Sequence, residues 1–123
     1  MKRVLIVERD SLLRGLIAEW LAQSGAEAVF PDGGEPLDID AVLVDVENVR
    51  QAREVLSTWR RAYPRAEIIA ASARFCASGT ANDAMASRLG ATQVLAKPFT
   101  RNELWTVLRL PIPATLSAAP SRQ

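Results

Sequence analysis

The segment Ala41-Val42-Leu43-Val44-Asp45 constrains the fold of this chain more than any other stretch. Its apolar part is too short for an independent helix, and polar residues bound it on both sides, as is typical of a buried strand. A continuous run of this kind indicates a parallel sheet that is covered on both faces. Ligands of such sheets bind outside the carboxyl ends of the strands, which is where Asp45 stands. We therefore expect Asp45 to lie at the functional edge of the sheet.

Length and composition predict one globular domain. The chain has 123 residues, of which 49% are hydrophobic, and this is enough for an ordinary core. We place the domain at residues 1–110 and expect the Pro-, Ala- and Ser-rich residues 111–123 to form a flexible tail. A formal net charge of +1 gives no general attraction to nucleic acid or to a membrane surface. No apolar run reaches the roughly 18 residues of a membrane helix, and no signal peptide is visible, so we expect a cytoplasmic protein.

The rare residue types exclude several kinds of site. The chain has no histidine, which excludes His-ligated metals and nucleophiles activated by histidine. The single cysteine, Cys76, excludes a disulfide within the chain and suits a reducing compartment. Lys2 and Lys97 are the only lysines, against thirteen arginines. Lys97 is therefore conspicuous.

Short apolar runs alternate along the chain with segments of helical periodicity. This order predicts a parallel sheet covered on both sides, with right-handed crossovers. The residues between the second and third strands include a Pro/Gly-rich break, which leaves no room for a full helix. The expected strands are 4–7, 26–30, 41–45, 68–71 and 94–96. The expected helices run from a cap at Asp10 or Ser11 to Gly25, from Arg50 to Arg61, from a capping box at Thr80–Asp83 to Gly90, and onward from a capping box at Thr100–Glu103.

Four strands of this pattern end on reactive or charged residues. Glu8 and Arg9 follow the first strand, Asp45 ends the third, Ser72 follows the fourth and Lys97 follows the fifth. Crossover topology brings these ends to one edge of the sheet. A carboxylate, a hydroxyl, a lysine and an acidic cluster there suit an aspartate that accepts a phosphoryl group, because the lysine and hydroxyl can bind its oxygens.

On these residues the chain resembles the receiver domains of two-component response regulators, over residues 3–109. The resemblance implies an α/β flavodoxin-like fold, a doubly wound sheet of five parallel strands in the order 2-1-3-4-5. It implies that Asp45 accepts a phosphoryl group from a histidine kinase and that Ser72 turns toward the phosphoryl oxygen. It also implies that Lys97 pairs with the Asp45 carboxylate and then with the phosphoryl group. It also implies a cis bond before Pro98. The segments that carry the resemblance are Val4–Glu8, Ala41–Asp45, Ala71–Ala73 and Lys97–Phe99, of which the last is the most specific.

The sequence departs from that family at four places. The family holds Mg²⁺ with two adjacent acidic residues after the first strand, and here the second of them is Arg9. Val94 stands at the aromatic switch position three residues before the lysine, and Asn48-Val49 replace a common Met-Pro. The second helix is shortened or missing.

Arg9 makes the expected site balanced in charge. Glu8 and Asp45 face Arg9 and Lys97, and a guanidinium beside a magnesium ion would cost about 4 kcal/mol per charge pair at about 4 Å in an effective dielectric of about 20. We therefore predict that a magnesium site formed by Glu8, Asp45 and Glu47 is weak or absent. Arg9 is expected either to replace the metal, paired bidentately with Glu8 or Asp45, or to extend into solvent.

The sequence thus predicts a stand-alone receiver-like domain of a phosphorelay, not an enzyme, in which Arg9 impairs Mg²⁺-dependent phosphorylation of Asp45. Its expected partners are a histidine kinase, a phosphotransfer protein or another protein target, without nucleic acid or membrane, and a homodimer is left open. The alternative is a pseudo-receiver that binds proteins independently of phosphorylation.

A small α/β enzyme or nucleotide binder is disfavoured, because the turn at residues 8–11 has no glycine of a phosphate-binding fingerprint. Trp105 lies off the apolar stripe of the last helix and is expected to be exposed, which makes that helix a candidate interaction face.

Overall fold

Five parallel strands form one sheet in the order β2-β1-β3-β4-β5, which confirms the predicted flavodoxin-like α/β fold. The computed structural model of the protein describes residues 2–31, 38–73 and 79–113, without the side chains of residues 49 and 79–83. The strands are β1 (Arg3–Val7), β2 (Glu27–Val29), β3 (Ala41–Asp45), β4 (Glu67–Ser72) and β5 (Gln93–Ala96). The helices within these ranges are α1 (Ser11–Gln23), α2 (Val49–Ala62), α3 (Gly79–Leu89) and α4 (Arg101–Val107).

The two faces of the sheet bury separate apolar clusters, because successive strand residues point to opposite sides. Leu43 of the central strand packs with residues of α1 and α4, whereas its neighbours Val42 and Val44 pack with residues of α2 and α3. Residues 41–44 are all buried. Burial on both faces is why this strand reads as a continuous apolar run.

Side-chain caps fix where three of the helices begin. Asp10 Oδ1 accepts hydrogen bonds from the backbone N–H groups of Leu12 and Leu13, at 3.0 and 3.3 Å, so Asp10 is the N-cap of α1. Asn48 caps α2, and the predicted capping box of Thr100 and Glu103 is present at α4. The predicted helix is also present as α3, but the capping box predicted at Thr80–Asp83 does not mark its start, since the helix begins at Gly79 and Thr80 lies inside it.

The connection between β2 and β3 contains no α-helix among its described residues, 30–31 and 38–40, while residues 32–37 lie outside the description.

At the other end of the chain, Leu110 packs against the core and the Ser24 hydroxyl donates to the Pro111 carbonyl. Residues 114–123 of the predicted tail lie outside the described residues.

Trp105 corrects one prediction from the sequence. Its side chain is fully buried, and its indole N–H donates to the Trp20 carbonyl at 2.8 Å. The Arg101 guanidinium lies 5.2 Å from the centre of the indole ring. Because α1 and Arg101 cover this flank of α4, Trp105 is not the exposed residue that was expected to mark an interaction face.

Candidate functional site

The carboxyl ends of four neighbouring strands form an open cleft. The strand register aligns Val7 with Val44, Asp45 with Ala71 and Ser72 with Ala96. The residues at and just after these positions therefore lie side by side at the carboxyl edge of the sheet. The cleft has a volume of about 590 Å³. Its lining contains all six residues singled out from the sequence, namely Glu8, Arg9, Asp45, Glu47, Ser72 and Lys97.

Lys97 links two carboxylates in this cleft. Its Nζ atom lies 2.7 Å from Asp45 Oδ1 and 2.9 Å from Glu8 Oε1. The three side chains are well enclosed, with 18% of Lys97, 11% of Asp45 and 5% of Glu8 exposed. Burial has the largest single effect on the pKa of Lys97 and lowers it, but the hydrogen bonds to Asp45 and Glu8 and the negative charges of these two carboxylates together outweigh burial, so the pKa is raised above its ordinary value. Lys97 is therefore charged at physiological pH and holds both acids.

Arg9 binds the other carboxylate oxygen of Asp45, Oδ2. Its Nη2 atom lies 3.3 Å from Asp45 Oδ2 and 2.6 Å from Glu47 Oε2. Hydrogen bonds, first to Glu47 and then to Asp45, raise the pKa of Arg9. The structure thus pairs Arg9 with two carboxylates through one nitrogen, rather than bidentately with Asp45 or Glu8. The side chain is 65% exposed, so it closes the cleft from its solvent side.

Glu8 is held from several directions. Its Oε2 atom accepts the backbone N–H of Asp10 at 3.2 Å, and its backbone carbonyl accepts a hydrogen bond from Arg14 Nη1 at 3.1 Å. Asp10 itself is engaged in capping α1. Arg14 was not singled out in the sequence, although it precedes the buried Ile17 and Leu21 by three and seven residues, a spacing that places it beside the buried face of α1.

The carboxylates in this arrangement do not fit a magnesium ion. All four side-chain oxygens of Glu8 and Asp45 face N–H donors, and Glu47 faces Arg9. Mg²⁺ requires oxygen ligands in a near-ideal octahedron. At this site the carboxylate oxygens that could bind the ion are already bound to Lys97, Arg9 and the backbone N–H of Asp10. Weak magnesium affinity stays a prediction.

Three further predicted positions have a defined place. Ser72 is 2% exposed and its carbonyl accepts the backbone N–H of Lys97 at 3.0 Å, which joins the ends of β4 and β5. The bond between Lys97 and Pro98 is cis, as the resemblance implies. Val94 is buried in β5, where the family's aromatic switch residue would stand. Cys76 lies outside the described residues.

No helix among the described residues is both long and apolar enough to span a membrane. No model of a known protein family matches the sequence. Over 105 residues the chain is 32% identical to the protein-glutamate methylesterase/protein-glutamine glutaminase 2 of Caulobacter vibrioides. That match covers 78% of this chain but only 30% of the Caulobacter protein.

Solved structures with a similar fold include response regulators from several bacteria. A response regulator from Thermotoga maritima superposes with a TM-score of 0.67 at 18% identity, covering 89% of this chain and 95% of the other. A response regulator protein from Burkholderia multivorans gives a TM-score of 0.59 at 27% identity, covering 95% of each chain. In both cases the similarity extends over nearly the whole of the solved chain.

Proposed function

We propose that this chain, which has the fold of the receiver domains of two-component response regulators, is a receiver-like signalling module that acts through a protein partner and has no enzyme activity toward external substrates. The expected partners are a histidine kinase or a phosphotransfer protein, in the cytoplasm. The activities in the name of the Caulobacter relative are not proposed for this chain, because the match covers 30% of that protein.

The observation that carries the proposal is the cluster at the carboxyl edge of the sheet. Asp45 ends the central strand, and Lys97 binds its Oδ1 atom from the end of β5. A carboxylate oxygen can attack phosphorus and form an acyl phosphate, while the bond to the donor breaks and the donor keeps its electron pair. Lys97 then stands where it can bind an oxygen of the transferred group. We propose Asp45 as the phosphoacceptor.

We further propose that Arg9 impairs this phosphorylation. An attacking oxygen must be free on the side of the incoming phosphorus, whereas Lys97 and Arg9 each bind one oxygen of Asp45. Lys97 is enclosed, so Arg9 is the group that must move first. A guanidinium that remains there also repels the metal ion on which the family's chemistry depends.

Labelling with radioactive acetyl phosphate tests both statements. We expect slow labelling of the wild type with or without Mg²⁺, and faster labelling of Arg9→Asp only when Mg²⁺ is present. Arg65→Asp is the matched control, because it makes the same charge change at an exposed arginine outside the cleft. Asp45→Asn in the Arg9→Asp background should abolish the label. Rapid Mg²⁺-dependent labelling of the wild type would show that Arg9 does not impair the site.

The second candidate function is that of a pseudo-receiver, which binds its partner without phosphorylation. It is favoured by the observation that both oxygens of Asp45 already have cationic partners. Beryllofluoride, which mimics a phosphoryl group, separates the two functions. A change in tryptophan fluorescence on adding beryllofluoride and Mg²⁺ supports a working phosphoacceptor, and an unchanged spectrum in the wild type together with a response in Arg9→Asp supports the pseudo-receiver.

A further inference from the structure

The outward face of α2 carries a row of arginines. Arg50, Arg53 and Arg61 are all exposed, and they lie on the side of the helix opposite the buried Ala52 and Leu56. Their spacing of three and then eight residues keeps them on one helix face. The row is about 16 Å long at 1.5 Å per residue. We call these three residues the arginine stripe.

Within the described part of the chain, no carboxylate forms an ion pair with the arginine stripe. The ion pairs found there belong to other cations, namely Lys2, Arg3, Arg9, Lys97 and Arg109. Residues 49–65 contain five arginines and one glutamate, a net charge of +4, in a chain whose formal net charge is +1. Positive charge is therefore concentrated on this side of the molecule, and the rest of the chain is net negative.

Stabilisation of α2 does not explain why Arg50 and Arg53 occupy the first half of this helix. Arg50 lies in the first turn, where the helix dipole disfavours a cation and where no acidic residue compensates. Glu54 follows Arg50 by four residues, which is the weaker order for a helical ion pair. By contrast, Arg61 lies in the last turn, where a cation is favourable. Arg50 and Arg53 are thus cations without a structural partner in the described residues.

We propose that the arginine stripe docks an acidic helix of a partner protein. Guanidinium groups bind carboxylates bidentately, and acids spaced at whole turns of a partner helix would match the stripe over its length. Glu54 lies among these arginines on the same face, and it favours a partner helix that also presents one cation. The same carboxylate repels a phosphate backbone, and a net charge of +1 gives no general attraction to nucleic acid. A protein helix therefore fits this face better than DNA or RNA.

This surface is separate from the cleft at Asp45. Asn48 caps α2 by accepting the N–H of Arg50 at 2.9 Å, so the stripe begins just after the loop that carries Glu47 and continues down the helix. None of its three arginines lines the cleft. The docking surface thus goes beyond the proposed phosphoacceptor and does not depend on it.

Fluorescence anisotropy with the full chain tests the docking surface. The first probe is a labelled helical peptide of about 20 residues, with glutamates along one face and a lysine placed to meet Glu54. The second has the same composition with the glutamates distributed around the helix, and the third is a DNA duplex. We expect the aligned peptide to bind about tenfold more tightly than the rearranged one, and the double variant Arg53→Gln/Arg61→Gln to remove this advantage.

The matched control is Arg3→Gln, because Arg3 is paired with Glu27 outside the stripe, and it should change the affinity by less than about twofold. Glu54→Gln should weaken binding of the aligned peptide. Circular dichroism of each variant establishes that the fold is intact. Equal binding of the two peptides, no binding of the aligned peptide, or tightest binding of DNA would each overturn the proposal.

Discussion

Arg9 and Lys97 bind opposite oxygens of the same carboxylate, that of Asp45. Arg9 Nη2 lies 3.3 Å from Oδ2 and Lys97 Nζ lies 2.7 Å from Oδ1. Each cation also has a carboxylate of its own, Glu47 for Arg9 and Glu8 for Lys97. The Lys97 half is enclosed and the Arg9 half is exposed, so the two halves of the site are expected to respond differently to substitution.

Loss of Lys97 should destabilise the protein more than loss of the Asp45 charge. In Lys97→Met the carboxylate of Glu8, which is 5% exposed, loses the lysine with which it is paired, and removing one partner of a buried ion pair costs about 3–5 kcal/mol. In Asp45→Asn both cations keep a carboxylate, so the free energy of unfolding should fall by less than about 1 kcal/mol. Urea unfolding at neutral pH measures both values. An equal or larger cost for Asp45→Asn would contradict the central place given to Lys97.

Lys97 also gives the fold a predicted pH dependence. Burial lowers its pKa, but the hydrogen bonds to Asp45 and Glu8 and the charges of these carboxylates raise it by more, so the pKa lies above its ordinary value. A base whose pKa is higher in the folded protein contributes its full stability below the unfolded pKa, and loses it as the pH rises through the folded pKa. We therefore expect the stability difference between wild type and Lys97→Met to stay constant up to about pH 10 and to shrink above it.

Urea unfolding of the two proteins along an alkaline pH series gives this difference directly. Lys2 has a lowered pKa, caused first by burial and then by Arg109, and would shift stability in the opposite direction. It is present in both proteins, so its effect cancels in the comparison. A difference that grows above about pH 10 would refute the assigned direction.

Much of the fold and part of the site could be predicted from the sequence, because both depend on local pattern. The run at residues 41–44 is buried on both faces, and parallel crossovers alone bring Asp45 and Lys97 to one edge. Arg9 was predicted less well. The partner of a long exposed side chain depends on where Glu47 projects after the strand has ended, and no periodicity encodes that position.

Trp105 shows a second kind of limit. The apolar stripe of a seven-residue helix predicts one buried face, but α1 and Arg101 also cover the flank of α4 that carries Trp105. That contact joins residues 85 positions apart in the chain. A local pattern contains no information about it.

Because Trp105 is buried, its truncation should be costly. Trp105→Ala should lower the free energy of unfolding by about 3–5 kcal/mol, as for other large buried aromatics. Trp105→Phe keeps most of the apolar volume but leaves the Trp20 carbonyl without its 2.8 Å donor, for a cost of about 1–2 kcal/mol. Urea unfolding gives both numbers. The placement of Trp105 in the core would be wrong if the alanine variant were as stable as the wild type.

Two glycines, one inside α1 and one just after it, should respond oppositely to substitution by alanine. A Cβ atom at Gly15 or at Gly25 would meet nothing within 4 Å, so contacts do not distinguish them. Gly15 lies inside α1, and Gly15→Ala should stabilise the protein by about 0.5–1 kcal/mol because alanine favours the helix. Gly25 ends that helix with φ +79, and Gly25→Ala should cost about 1–2 kcal/mol because an L side chain is strained there. Thermal unfolding of the pair checks this, and a destabilised Gly15→Ala would contradict the open, helical environment assigned to Gly15.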